Sequence, residues 1–302
     1  MKKIAVIGSI NMDLTAQANR LPGKGETVSA ANLQYVPGGK GANQAVAAAR
    51  LGGDVTMFGC VGDDAFADRL IDNLRQNGVD TTYIRRVGGV SSGIAMITVA
   101  ENDNCIVVVP GANHRVTPAY LDEVVDAVLS ADILILQNEI PPETVAYAME
   151  FGRRAGKLVI YNPAPAMPMP EDILEKANYI TPNEHEAALL FPDAGDLPGL
   201  LEQCDGKLIV TLGEQGAAAW ENGTMLRIPA RPAEVVDTTG AGDTFNGAFA
   251  CALAKGYPLE KALLIANVAA SLSTEQAGAQ GGMPTWEQVL ECVDLKNFDA
   301  KI

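Results

Sequence analysis

The chain has few aromatic residues, little positive charge and almost no histidine. Aromatics make up 5% of its 302 residues, histidine occurs twice, and 22 Lys and Arg stand against 37 Asp and Glu, a formal net charge of −15. A surface this acidic repels nucleic-acid phosphates and anionic lipid, so neither is an expected partner. A free nucleotide would be repelled as well. Any phosphate ligand would need local devices: helix N-termini, loop amides and a divalent metal. His114 and His185 are the sole imidazoles, and Cys60, Cys105, Cys204, Cys251 and Cys292 form no CxxC pair, so neither a zinc site nor a disulfide framework is expected. Free thiols in a reducing cytoplasm are the simplest account. No apolar run approaches the roughly 18 residues of a membrane span. MKKIAVIGSINMD starts basic, but Asp13 arrives too soon for a secretory signal. The expectation is a cytoplasmic protein without a membrane partner. Tandem repeats and low-complexity tracts are missing too.

What the chain has in quantity is small and aliphatic material. Hydrophobic residues make up 48% and there are 30 glycines, enough for a large core of tightly packed α/β layers. KIAVIG (Lys3–Gly8), DVTMFGCVG (Asp54–Gly62), DILILQ (Asp132–Gln137), KLVIYN (Lys157–Asn162), NYIT (Asn178–Thr181) and KLIVTLG (Lys207–Gly213) read as near-continuously apolar strands covered on both faces. Helical patterns lie between them at Ala42–Leu51, Phe66–Asn77, Pro118–Leu129, Pro142–Ala155 and Glu184–Leu190. The alternation predicts a single α/β domain over residues 1–302: a doubly wound, mostly parallel sheet flanked by helices, with ligands at the carboxyl ends of the strands. Two stretches break the rhythm. Leu14–Val36 and Ser92–Val109 hold strand-like segments without helices, and SGIAMITV and NCIVVV flank Ala100–Asp103 as a hairpin would. They predict a small antiparallel flap, or lid, built from about residues 12–37 and 91–112. Two edge strands extending the main sheet would fit the periodicity as well.

Chemistry concentrates in three places. In VVDTTGAGDTFNGAF, Val235 and Val236 read as a strand end running into Gly240, Ala241, Gly242 and Asp243, with a helix from Thr244 to Lys255. Glycines let the backbone approach a ligand closely. Free amides and the positive dipole end at a helix start suit a phosphate or a developing anion. By itself Asp243 reads equally as a simple N-cap. In VPGGKGANQAVAAARLGG, Gly38, Gly39 and Gly41 surround Lys40 ahead of an Ala-rich helix. No Walker A spacing occurs, and this motif alone reads as a glycine turn with a solvated lysine. GSINMD follows the first strand and puts Asn11 and Asp13 at a strand exit. An Asx turn is common there, and it is also where an Asp can clamp sugar hydroxyls.

Taken together, GAGDTFNGAF and GGKGAN resemble the two signatures of the ribokinase, or PfkB-type, carbohydrate kinase family, and the likeness runs from Lys3 to about Pro284. The resemblance implies an ATP-dependent phosphotransferase with an alcohol group as acceptor, in the first instance D-ribose going to D-ribose 5-phosphate. It implies Asp243 as the base that takes the hydroxyl proton, with the amides of Gly240, Ala241 and Gly242 as an anion hole. Asn11, Asp13, Gly39, Asn43 and Glu139 would hold the sugar, and Lys40 would help neutralise phosphate charge. Asn183, Thr211, Gly213, Gly216, Gly242 and Asn267 would serve the nucleotide. Glu186, in TPNEHE, would hold Mg²⁺ through water. Asp237 and Thr239, with backbone oxygens of Ser273, Gln276, Gly278 and Gly282, would hold K⁺ or a similar cation. A homodimer through the flap is implied too. Met12 departs from the small residue frequent at its position, which leaves the acceptor open: deoxyribose, fructose, a keto-sugar acid or a nucleoside are the alternatives. A non-catalytic sugar- or nucleotide-binding protein is the alternative of another class, and loss of Asp243 would be its mark. A Rossmann dehydrogenase fails at its fingerprint, because Gly8 opens GSINMD and not GxGxxG.

Overall fold

A computed structural model gives the fold and describes residues 1–101 and 103–293. Asn102, in the expected turn of the flap hairpin, and residues 294–302, the end of the expected domain, lie outside the described residues. The chain opens with β1 (Lys3–Ile7), β2 (Asn11–Ala18), β3 (Ala30–Gly38) and α1 (Lys40–Arg50). There follow β4 (Asp54–Gly62), α2 (Ala67–Gln76), β5 (Asp80–Val87), β6 (Gly93–Ala100) and β7 (Asp103–Val109). The second half begins α3 (Pro118–Glu123), α4 (Val125–Leu129), β8 (Ile133–Leu136), α5 (Pro142–Arg154), β9 (Leu158–Tyr161) and α6 (Glu171–Leu174). It continues through β10 (Tyr179–Ile180), α7 (Glu184–Leu190), α8 (Leu197–Gln203), β11 (Ile209–Thr211), β12 (Ala217–Glu221) and β13 (Thr224–Ile228). It closes with α9 (Ala241–Ala254), α10 (Leu259–Ser273) and α11 (Trp286–Cys292).

Six strands form a parallel sheet in the order β10-β9-β8-β1-β4-β5. β1 shows why these segments became strands. Ile4 and Val6 join one apolar cluster with residues of α1, α9 and α10, whereas Ala5 and Ile7 join another with residues of α3 and α5. Side chains of period two thus feed two cores, one on each face. From β1 the chain moves out to β4 and β5, then returns to β8 on the other side. The loops leaving β1 and β8 therefore border a reversal of strand order, the usual address of a ligand site.

Expectations change in several places, and the edge strand β5 lies where no apolar run marked one. Lys207–Gly213 shortens to β11, and isolated parallel bridges, Ile180–Leu208 and Asn183–Thr211, join this segment to the end of β10 and to the N-cap of α7. Otherwise it pairs antiparallel with β12 in a separate sheet, β11-β12-β13. Val235 and Val236 form no strand. They are 62% and 65% exposed, and the amides of Val236 and Asp237 donate to the Thr274 carbonyl, so a loop holds this segment and not a sheet. The helix expected over Pro118–Leu129 breaks at Val124, whose backbone (φ −116°, ψ 11°) separates α3 from α4.

The flap is a sheet of its own, β3-β2-β6-β7, so it does not extend the main one. Nor is it purely antiparallel: β2–β3 and β6–β7 run antiparallel, but β2 and β6 are parallel. Both central strands leave the carboxyl end of the main sheet, one after β1 and one after β5, and so travel in the same direction. The flap is thinly covered. β7 is exposed throughout, and Leu33, Tyr35, Met96, Ile106 and Val107 are each 40–53% exposed.

Candidate active site

Helices α1 and α9 lie against each other, and small residues set their spacing. A Cβ on Gly247 of α9 would meet the Gln44 carbonyl oxygen at 2.6 Å and the Ala47 Cβ at 2.7 Å. This contact brings the N-terminal parts of both helices together. Gly240 occupies the N-cap of α9 at φ +79°, and a Cβ there would lie 2.5 Å from the Ala279 carbonyl oxygen, so the turn requires glycine. The helix begins at Ala241, earlier than expected, which puts Asp243 inside its first turn and not at the cap. Asp243 is 7% exposed. Its Oδ2 accepts from Asn43 Nδ2 (2.9 Å) and its Oδ1 from Gln44 Nε2 (3.0 Å). Among the described residues the Ala241 amide is turned to the Thr238 carbonyl (3.2 Å), while the amides of Gly242 and Asp243 have no partner. A Cβ on Gly242 would meet nothing within 4 Å, so space for a ligand lies beside this turn.

On the other side of Asp243, the loops after β1 and β8 meet the start of α1. Glu139 Oε2 accepts from the Ser9 hydroxyl (2.5 Å) and the Lys40 amide (3.0 Å), with Asn11 Nδ2 at 3.5 Å. Gly39 is the N-cap of α1. Asn11 Oδ1 accepts from buried Asn113 Nδ2 (2.6 Å), whose own Oδ1 accepts from the Ile10 amide (2.9 Å). That orientation turns Asn11 Nδ2 toward Glu139. Asp13 lies against Gly38, where an added Cβ would strike its carboxylate. Burial, then the neighbouring Glu139 and Asp243, push the Asp13 pKa up to about 7. Met12, between Asn11 and Asp13, is fully buried in the main core. Strand alternation sends it away from the face that carries its neighbours, so the departure at this position does not reach the side of Asn11 and Asp13. Lys40 is not the solvated lysine that a glycine turn alone suggests. Burial pulls its pKa down, but Asp243, Glu139 and Glu186 outweigh that and hold it above the ordinary lysine value.

Beside Gly242 opens a cleft of about 670 Å³, between the end of β11, the loop before α9, and α9 and α10. Thr211, Gly213, Gly216, Gly242 and Asn267 line it. Asn267 Nδ2 donates to the Ile228 carbonyl (2.8 Å) and so braces the cleft wall. Asn183 is not part of the lining. It caps α7, in a reciprocal capping box with Glu186. Burial raises the Glu186 pKa, opposed by the Asn183 amide and Lys40. Asp237 accepts from the amides of Thr239 (2.9 Å) and Gly278 (2.8 Å). Burial works against its charge, but these bonds hold its carboxyl below the ordinary Asp value. A Cβ on Gly282 would meet the Ser273 carbonyl oxygen at 2.2 Å. Asp237, Thr239 and Gly278 are thus together, as are Ser273 and Gly282, whereas Gln276 is exposed. Sequence reasoning missed Gln44, Asn113 and Gln280 beside Asp243, Asn11 and Asn43, and Phe245, Ala270 and Ser271 in the cleft. The last three sit in helices apolar nearly all round, where no stripe marks a cleft-facing side.

A family model described as pfkB family carbohydrate kinase matches residues 1–286. A ribokinase of Bacillus subtilis is 49% identical over 291 residues, covering 96% of this chain and 99% of that protein. A deoxyribokinase of Salmonella typhimurium is 38% identical over 302 residues, covering 97% of this chain and 99% of that protein. The structure of Arabidopsis thaliana ribokinase complexed with ribose and ATP matches with a TM-score of 0.90 at 33% identity, covering 97% of this chain and 99% of that one.

Proposed function

The chain belongs to the pfkB family of carbohydrate kinases, and from that premise we propose that it transfers the γ-phosphoryl group of ATP to D-ribose, giving D-ribose 5-phosphate and ADP. One junction carries this reading. Gly242 lines the large cleft, while the next residue, Asp243, turns its carboxylate to the buried amides beside Asp13 and Glu139. A phosphate donor in the cleft and an alcohol on the carboxylate side would meet there. Asp243 accepts the hydroxyl proton as that oxygen attacks the γ-phosphorus. The bond from phosphorus to the bridging oxygen breaks, and ADP leaves with that oxygen. The amides of Gly242 and Asp243, at the positive end of α9, and Lys40 face the charge that develops. Asn11, Asp13, Gly39, Asn43 and Glu139 offer the acceptors and donors a polyol needs. Higher identity to the ribokinase than to the deoxyribokinase favours ribose over 2-deoxyribose.

An ATP-dependent kinase takes Mg²⁺ with its nucleotide. Among the described residues no group of three or more His, Cys, Asp or Glu is disposed to hold a metal, which suits an ion bound chiefly by phosphates and water. We assign Glu186 to hold it through water; Mg²⁺ bound there would offset phosphate charge. Asp237, Thr239 and the carbonyls of Ser273, Gln276, Gly278 and Gly282 form an all-oxygen set that suits K⁺. The exposed apolar strands of the flap suit a homodimer contact. No helix among the described residues is long and apolar enough to cross a membrane. A coupled ADP-release assay over pentoses, hexoses and nucleosides tests the function. Ribose is expected to show the highest kcat/KM. A higher value for deoxyribose or a nucleoside moves the acceptor, and ATP turnover with none of them leaves a binding protein.

A further inference from the structure

Two lines of buried amides end on Asp243, and chemistry sets their direction. A carboxylate accepts hydrogen bonds and donates none, so each amide beside it must present its nitrogen. On one side Asn43 Nδ2 donates to Asp243 Oδ2 (2.9 Å), Asn43 Oδ1 accepts from Gln280 Nε2 (2.9 Å), and Gln280 Oε1 accepts from Asn73 Nδ2 (2.8 Å). On the other side Gln44 Nε2 donates to Asp243 Oδ1 (3.0 Å), and Gln44 Oε1 accepts from Gln137 Nε2 (2.8 Å). Asn43, Gln44, Gln137 and Gln280 are all 6% exposed or less. Every amide dipole in both lines points the same way, and aligned hydrogen bonds in a dry interior strengthen one another. The first line also reaches the loop between α10 and α11. Arg50, on the same helix as Asn43, grips that loop by donating to the carbonyls of Gln280 (2.6 Å) and Met283 (3.0 Å).

We propose that Gln44 and Gln280 are positioning residues for phosphoryl transfer: through the two amide lines they fix the plane of the Asp243 carboxylate, and Gln280 ties that plane to the loop after α10. The inference rests on Asp243 being the base. Its sharpest test lies far along the outer line, at Asn73 on the partly exposed side of α2. Asn73→Asp keeps the size but removes the donor. Gln280 must then turn its nitrogen to the new carboxylate and its oxygen to Asn43, which in turn presents oxygen to Asp243 or lets go. The expected result is a fall in kcat of roughly tenfold to hundredfold, the scale of a misplaced reacting group, with KM for ATP and melting temperature little changed. Asn73→Ala removes the donor without forcing the reversal, and its kcat should fall less. Gln44→Met fills the same volume without a donor and should lower kcat at least as far as Asn73→Asp. A purely structural role would instead lower the melting temperature of all three and leave turnover per folded molecule alone. Where Gln44→Met does not fold, Asn73→Asp decides. Turnover by the unchanged protein, with kcat of Asn73→Asp retained within about twofold, overturns this inference and leaves the base assignment standing. No turnover by the unchanged protein overturns both.

Discussion

The parallel sheet and the flap each deliver a carboxylate to the site and surround it differently. Asp243, at the start of a helix packed on the sheet, sits among amide donors from Asn43 and Gln44. Asp13, on the second strand and first of the flap, faces Glu139 and Asp243, and its pKa is pushed up to about 7. Their frames differ in the same sense. All four residues of β8 are buried, whereas β7 is exposed along its whole length. As the proposed base, Asp243 has to be in place before the acceptor arrives, which calls for a rigid support. A clamp for hydroxyls can be uncomfortable when empty, because the ligand brings the donors that relieve it. On the proposed roles, binding at the flap and chemistry at the sheet are separable, and experiments can pull them apart.

The severest break would be a dispensable Asp243. Asp243→Asn keeps the side chain's size, so fold and ligand binding should survive while kcat falls by roughly 10²–10⁴-fold. Steady-state rates, melting and binding calorimetry on one preparation read this directly, and kcat retained within about tenfold places the base elsewhere.

Asp13 should behave in the contrary way. Asp13→Ala removes hydrogen bonds to a charged group, about 1.5–3 kcal/mol, so KM for the sugar should rise roughly tenfold to hundredfold while KM for ATP stays put. An equal rise in both makes Asp13 structural. Its raised pKa adds a pH signature. In the unchanged protein, KM for the sugar should climb as pH falls below about 7, because a protonated clamp loses acceptor capacity. Stability moves the other way. The folded carboxyl binds its proton more tightly than the ordinary value of 3.8 allows, so its contribution is fully present below that value and is lost as pH rises through about 7. Asp13→Asn should remove this part of the pH dependence of melting. Parallel melting-versus-pH curves for the two proteins contradict the crowding of Asp13.

Smaller effects sharpen the contrast. Exchange of K⁺ for a bulky organic cation at fixed ionic strength should lower kcat/KM modestly, because the loop holding Asp237 and Gly278 adjoins the α9 turn. Unchanged kinetics remove the cation from that loop. Val107→Glu, on exposed β7, should shift sedimentation from dimer toward monomer with little change in kcat. Monomeric behaviour of the unchanged protein at micromolar concentration removes the flap interface.

Parts of the molecule whose signal is local are legible in the order of residues. Apolar runs alternating with helical patterns placed β1, β4, β8, β9 and β10 of the parallel sheet, because a strand buried on both faces leaves few polar positions along it; the edge strand β5, DTTYIRRV, is polar and half exposed and carries no such run. Glycines around Asp243 and Lys40 marked the turns that the fold puts beside the cleft and the start of α1. Interruptions of that rhythm located the flap. Tertiary structure alone decided the parts set by distant neighbours. The parallel pairing of β2 with β6 follows from both strands leaving the same edge of the core. The setting of Lys40 follows from Asp243, Glu139 and Glu186 closing around it. Gln44 looks like one polar residue in an Ala-rich helix, and Gln280 like one in a glycine-rich loop. Their partners Asp243 and Asn43 lie 199 and 237 residues away along the chain. A hydrogen bond's worth, and a carboxylate's ease of ionisation, depend on what burial brings within about 3 Å, and no local pattern of residues records that.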